Sequence, residues 1–147
     1  MPEEGPIERA REDEREGLSP STQAGEFVRE EMEHIRAGEH GARSPEQAIA
    51  IGLSKARRAG VKLPPPKRGK TRIKRQAKRD LAKGRRPKKP SRRRSRAVRG
   101  ALKRETRRSA SRRALSQHAK RAARRRPAAS RSAAAKKAAQ TRKHRRH

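Results

Sequence analysis

The chain has 147 residues and a formal net charge of +31; 41% of its residues are charged, 28% are apolar and Phe27 is the single aromatic. A globular domain uses roughly 45–50% apolar residues, so this composition excludes a chain folded throughout around one large core. The expected class is mostly disordered with a small all-α helical hairpin, joined to a basic tail that becomes helical when bound.

The absence of cysteine excludes disulfide scaffolds and thiolate-ligated zinc. No run approaches the roughly 18 apolar residues of a membrane span. Met1-Pro2-Glu3-Glu4 lacks the apolar stretch of a secretory signal, which predicts a cytoplasmic protein that does not engage membranes.

Residues 1–20 form an acidic head. Glu, Asp and Arg alternate densely over residues 8–16, enough for transient i,i+4 pairs, but almost no apolar face accompanies them. The head is expected to be disordered. Its charge could contact the basic tail and compete there with a ligand.

The hairpin is placed at 21–63. Ser21 or Thr22 can cap a first helix to Ala37, with Ala24, Val28, Met32 and Ile35 on one stripe and Phe27 at its edge. Gly38 is the left-handed stop. Ser44 then caps a second helix, with Pro45 at its first position and Gln47 completing a capping box. That helix runs to about Ala59, with Gly60 as its exit, and Pro64, Pro65 and Pro66 forbid continuation.

Ile49 and Leu53 share the seam face of the second helix, whereas Ile51 points nearly the opposite way. The hairpin core is therefore expected to comprise Phe27, Val28, Met32, Ile35, Ile49 and Leu53, with Ile51 covered by another surface. So few large apolar side chains fall short of offsetting the entropy of ordering the hairpin, which predicts a homo-oligomer or a protein partner.

Residues 64–147 form the tail. From Lys67 onward it holds 36 Lys and Arg against Asp80 and Glu105, with 24 Arg to 12 Lys and no aromatic. Like charges keep such a chain open until a polyanion neutralises them, whereupon 91–126 and 128–143 can become helical.

The stretch Gln47 to Gly60, QAIAIGLSKARRAG, resembles a recurrent segment of small uncharacterised bacterial proteins of the form QAIAI-x-LS-x-AR-x-AG, and EFVREEMEHIRAGEHGARS resembles the helix and loop before it. The resemblance covers about residues 19–66. It implies a compact helical hairpin in a bacterial cytoplasmic protein, and brings no catalytic residues. The Ala-, Lys-, Arg- and Pro-rich tail is similar in composition to linker-histone tails and bacterial histone-like proteins.

The expected ligand is nucleic acid, with duplex DNA favoured over RNA because no tail aromatic is present to stack on unpaired bases. At one phosphate charge per ~1.7 Å of duplex axis, the tail's net charge spans about 17 base pairs. The residues expected to contact phosphate are Lys55, Arg58 and Lys62 at the end of the hairpin. Lys67, Arg68, Lys70, Arg72, Lys74, Arg75, Lys78, Arg79, Arg85, Arg86, Lys88 and Lys89 follow. Next come Arg92, Arg93, Arg94, Arg96, Arg99, Lys103, Arg104, Arg107, Arg108, Arg112 and Arg113, and finally Lys120, Arg121, Arg124, Arg125, Arg126, Arg142, Lys143, Arg145 and Arg146. Arg57 is expected to be plainly solvated.

Other constellations read as bland. A helix-turn-helix reader lacks a third helix and has too long a loop. Gly69-Lys70-Thr71 ends like a phosphate-binding loop, but Pro64 stands where that loop needs glycine. His34 and His40, near Glu33 and Glu39, read as surface histidines, and His144 and His147 sit among arginines, so neither a metal nor another cofactor is expected. No nucleophile, base and acid share a core, and the chain is not expected to be an enzyme.

The expected function is non-sequence-specific DNA binding and compaction by a histone-like, nucleoid-associated protein. An RNA- or ribosome-associated protein is the alternative, as is a helical docking module whose tail localises a partner complex.

Overall fold

The computed structural model describes residues 5–145, and they are overwhelmingly helical. α1 spans Pro6–Arg15, α2 Pro20–Ala37, α3 Pro45–Arg58, α4 Thr71–Arg85, α5 Arg92–Lys103, α6 Arg112–Arg124 and α7 Ala128–Arg145, with a 3-10 turn at Arg108–Ala110. The expectation of a mostly disordered chain is overturned. The class is all-α, and helix extends well beyond the hairpin on both sides. The chain divides into two compact units, Met1–Ser111 and Arg112–His147.

The hairpin forms as its caps dictate. Ser44 Oγ accepts from the Gln47 N–H at 3.2 Å, and the Gln47 side chain reaches back to accept from the Arg43 N–H at 2.6 Å. That bond goes one residue further out than in the standard capping box. α2 starts two or three residues earlier than expected. Ser19, followed by Pro20, is its N-cap, and the Ser19 hydroxyl accepts from the Thr22 N–H.

Both helices end in left-handed glycines, Gly38 at φ 85° and Gly60 at φ 105°. At the second, the Val61 N–H donates to Ala56 O and Gly60 N–H to Arg57 O, closing a Schellman turn. That turn folds Val61 back onto the core.

α2 and α3 approach closely because Gly52 has no side chain: a Cβ there would lie 2.7 Å from Val28 Cα. Phe27, Met32 and Ile35 are buried, while Val28, Ile49, Ile51 and Leu53 are half-buried.

The acidic head is not disordered over its described part. α1 lays Ala10 against Ala24, Phe27, Ala56 and Val61, and Arg9 Nε donates to Glu26 Oε2 at 2.7 Å. Burial of Phe27 from both sides gives this short charged helix its reason to persist.

α4 covers the back of α3 through small residues. Ala77 and Asp80 are buried, and a Cβ on Gly84 would meet Arg57 O at 2.2 Å. Asp80 accepts from Ser54 Oγ at 2.8 Å, Arg58 Nε at 3.0 Å and Gln76 Nε2 at 3.0 Å. Ile51, half-buried, lies one turn before Ser54, whose hydroxyl α4 engages through Asp80.

The last turn of α5 and the segment after it clasp the α2–α3 loop. Gly41 N–H donates to Leu102 O at 2.8 Å and Ala42 N–H to Thr106 O at 2.9 Å. Arg36 Nε donates to Ala110 O at 2.9 Å, and Ser109 and Ala110 are buried. α5 itself buries no residue, so it is carried by its C-terminal end.

In the second unit, α6 and α7 also bury nothing. Their alanine-rich sequences favour helix intrinsically, and local bonds add to this: Arg126 side-chain nitrogens donate to Ser130 and Thr141 Oγ1 donates to Lys137 O. Charge repulsion, which predicted an open tail, is outweighed by helix propensity and by the Asp80 anchor.

Candidate nucleic-acid interface

The basic side chains divide into those the fold consumes and those it leaves to solvent. Lys55 and Arg58 belong to the first group. The Lys55 ammonium pairs with Glu31 and the Arg58 guanidinium with Asp80, although both remain 47% exposed. Arg57 is not solvated as expected. It is buried, and its Nε and Nη2 donate to Leu63 O and Pro64 O, each at 3.1 Å. Burial lowers its affinity for a proton, with Asp80 partly opposing the shift. Arg107 is placed with Nη1 beside Gly38.

The second group is larger. On α4, Arg72, Arg75, Lys78 and Arg79 are exposed and Lys74 is half-buried, so this helix docks by Ala77, Asp80 and Gly84 and turns cations outward. Arg85, Arg86, Lys88 and Lys89 continue the exposed series into α5, where Arg92, Arg93, Arg94, Arg96, Arg99 and Lys103 follow. Lys62, Lys67, Arg68, Lys70, Arg104 and Arg108 are exposed as well. In the second unit Arg112, Arg113, Lys120, Arg124, Arg125, Arg126, Arg142, Lys143 and Arg145 are exposed too, Arg121 is exposed but engaged with a partner, and Arg146 lies outside the described residues. Lys83, Arg131, Lys136 and Lys137 are exposed too and were missed by the sequence reading. Their signal, a basic residue in the same acid-poor run as the others, was available.

One part of this surface is concave. Arg92, Arg93, Arg96 and Arg104 line an open groove of about 480 Å³, with Ala97 and Gly100 as its small floor. Residues 92, 96, 100 and 104 recur at i,i+4 spacing and so share one helical face. None of the four arginines pairs with a carboxylate among the described residues. Each guanidinium presents a planar fork of donors suited to phosphate.

α3 is not built to read bases. The third helix whose lack argued against a helix-turn-helix is present as α4, yet it lies on α3 rather than beside a free recognition face. The exposed positions in the N-terminal half of α3 are Glu46 and Ala50, and neither can donate to a base edge or a phosphate.

Residues 20–68 match a family of unknown function (DUF6496), which makes that third of the chain similar to the family and leaves α4 onward outside the match. No curated protein matches the chain, and no solved structure does. Among the described residues no helix is long and apolar enough to cross a membrane.

Proposed function

We propose that this protein binds the phosphate backbone of duplex nucleic acid, DNA foremost, without sequence preference. The observation that carries the reading is the α5 groove, where four arginines converge on one helical face with no carboxylate among the described residues to neutralise them. An anion is what such a face lacks. Binding would proceed by counterion release, so affinity falls steeply as salt rises.

Two basic units lie in one chain, and each can engage phosphate. Linked engagement raises the effective concentration of the second contact, which supports bridging and compaction of DNA without a second copy of the protein. Because both units belong to one chain, the proposal does not depend on an oligomer.

The test is fluorescence anisotropy with a labelled DNA duplex and an RNA of equal length at matched salt. Tight DNA binding that weakens log-linearly with salt is expected. A clear preference for the RNA would replace DNA as the ligand, and indifference to both in dilute buffer would overturn the proposal.

A further inference from the structure

The loop that joins α2 to α3 closes over a carboxylate whose needs the fold meets only in part. Glu31 is fully buried, at 0% exposure. Its Oε1 is taken by the Lys55 ammonium, but Oε2 makes no hydrogen bond. The group facing Oε2 is His40 Nε2, at 3.1 Å.

Which nitrogen of that imidazole faces the carboxylate as the ligand atom follows from the bond its other nitrogen makes. His40 Nδ1 lies 2.9 Å from Gly41 O, and a carbonyl oxygen only accepts, so the proton of the neutral ring sits on Nδ1. Nε2 is thus the nitrogen that faces Oε2 and can hold a cation shared with it, a second proton or a metal ion, and a buried carboxylate oxygen with no hydrogen bond calls for one.

His34 supplies a third donor. It stands three residues after Glu31, hence on the same face of α2, with Nδ1 4.0 Å from Glu31 Oε1. Glu31, His34 and His40 each offer one donor atom, all within 4.8 Å of one another.

We propose that Glu31, His34 and His40 bind a divalent transition-metal ion, with zinc the best match to two imidazoles and a carboxylate. Bonds of about 2.0–2.1 Å at tetrahedral angles set donor atoms about 3.3 Å apart, close to the separation of Glu31 and His40. The wider edge closes by rotation of His34, whose side chain is 31% exposed. The bond from His40 to Gly41 O is the outer support that metal-bound histidines normally have, fixing both tautomer and ring plane.

Charge favours the same assignment. Glu30 Oε1 and Glu39 Oε2 lie 3.8 Å and 3.7 Å from His34 Nε2, so three carboxylates surround the site against the single ammonium of Lys55. Glu30 and Glu39 stand at the far ring nitrogen of His34 as outer supports, and water can occupy the fourth position. The bound ion would tie the end of α2 to residues 40–42, the loop that holds Leu102 and Thr106 and so carries α5. The role is structural.

The site is tested on the full chain after treatment with a chelator, by titrating Zn²⁺ in a calorimeter and Co²⁺ in a spectrophotometer. One ion per chain is expected, with Kd below about 1 µM and the visible absorption of tetrahedral Co²⁺. Loss of a supporting residue costs a metal site 10–100-fold in affinity, so removing a ligand should cost at least about 100-fold. Glu31→Gln disturbs a buried pair, so His34→Ala carries the test and His40→Ala repeats it, each with folding checked by circular dichroism. Affinity unchanged in both folded variants, or no site tighter than about 100 µM in the parent chain, would overturn the proposal.

Discussion

Replacing Arg92, Arg93, Arg96 and Arg104 by glutamine tests whether the α5 groove meets phosphate. Glutamine keeps a polar, unbranched side chain and the helix propensity while removing four charges. None of the four contributes an ion pair or a buried side chain to the fold, so the melting temperature should not move. Each phosphate contact contributes about 0.9 to the slope of log K against log salt, so complete engagement predicts a slope shallower by about 3.6. Between 50 and 200 mM salt that difference shrinks the parent's affinity advantage by about 150-fold. Anisotropy titrations of both proteins across that range read it directly. A folded variant with an unaltered slope would place DNA elsewhere on the chain and refute the reasoning.

Arg99→Ala should shift affinity less than threefold under the same conditions, because the attraction is shared among many cations; a larger loss would reveal a specific contact. Asp80→Ala removes three hydrogen bonds, two of them from Ser54 and Arg58 of α3, and should destabilise the first unit by about 2–3 kcal/mol in urea denaturation. A loss below about 1 kcal/mol would show that α4 docks without this carboxylate. Gly41→Ala would set a Cβ 2.1 Å from Glu105 O, at a cost of about 1–3 kcal/mol. Faster hydrogen exchange at the Gly41 and Ala42 amides would register it, and unchanged protection would contradict the close approach.

The start of α3 was legible because capping is local: Ser44, Pro45 and Gln47 announce it within four residues. Gly38 and Gly60 were legible for the same reason, as each must adopt a conformation that other residues resist. α1 was not legible, because its packing face rests on Ala10 beneath a dense coat of charge, and an alanine contributes little to any apolar count. α4 was hidden differently. Its dock is made by Ala77, Gly84 and a carboxylate, none of which reads as an apolar stripe. Averaged over the tail, Asp80 looked like one acid lost among bases, whereas in the fold it gathers Ser54, Arg58 and Gln76.

Charge counting gave the basic surface well but could not assign its members. Lys55 and Arg58 stand in the same run as Arg57 and Lys62, yet what becomes of each depends on Glu31, Asp80 and the carbonyls of Leu63 and Pro64. Those partners lie 6 to 24 residues away. The Glu31–His40 contact was missed because Glu33 and Glu39 are nearer to the histidines in sequence, while the turn at Gly38 brings His40 back under α2.

The clasp between residues 41–42 and 102–106 sets where this protein can be cut. A fragment ending at residue 68, where the family resemblance stops, would be shorn of the helix that shields Ser54 and Arg58. It would also lose the strand of backbone that satisfies the amides of Gly41 and Ala42. Such a piece would carry raw, unsatisfied flanks and should aggregate or unravel, whereas one ending after Ser111 keeps every one of these joints.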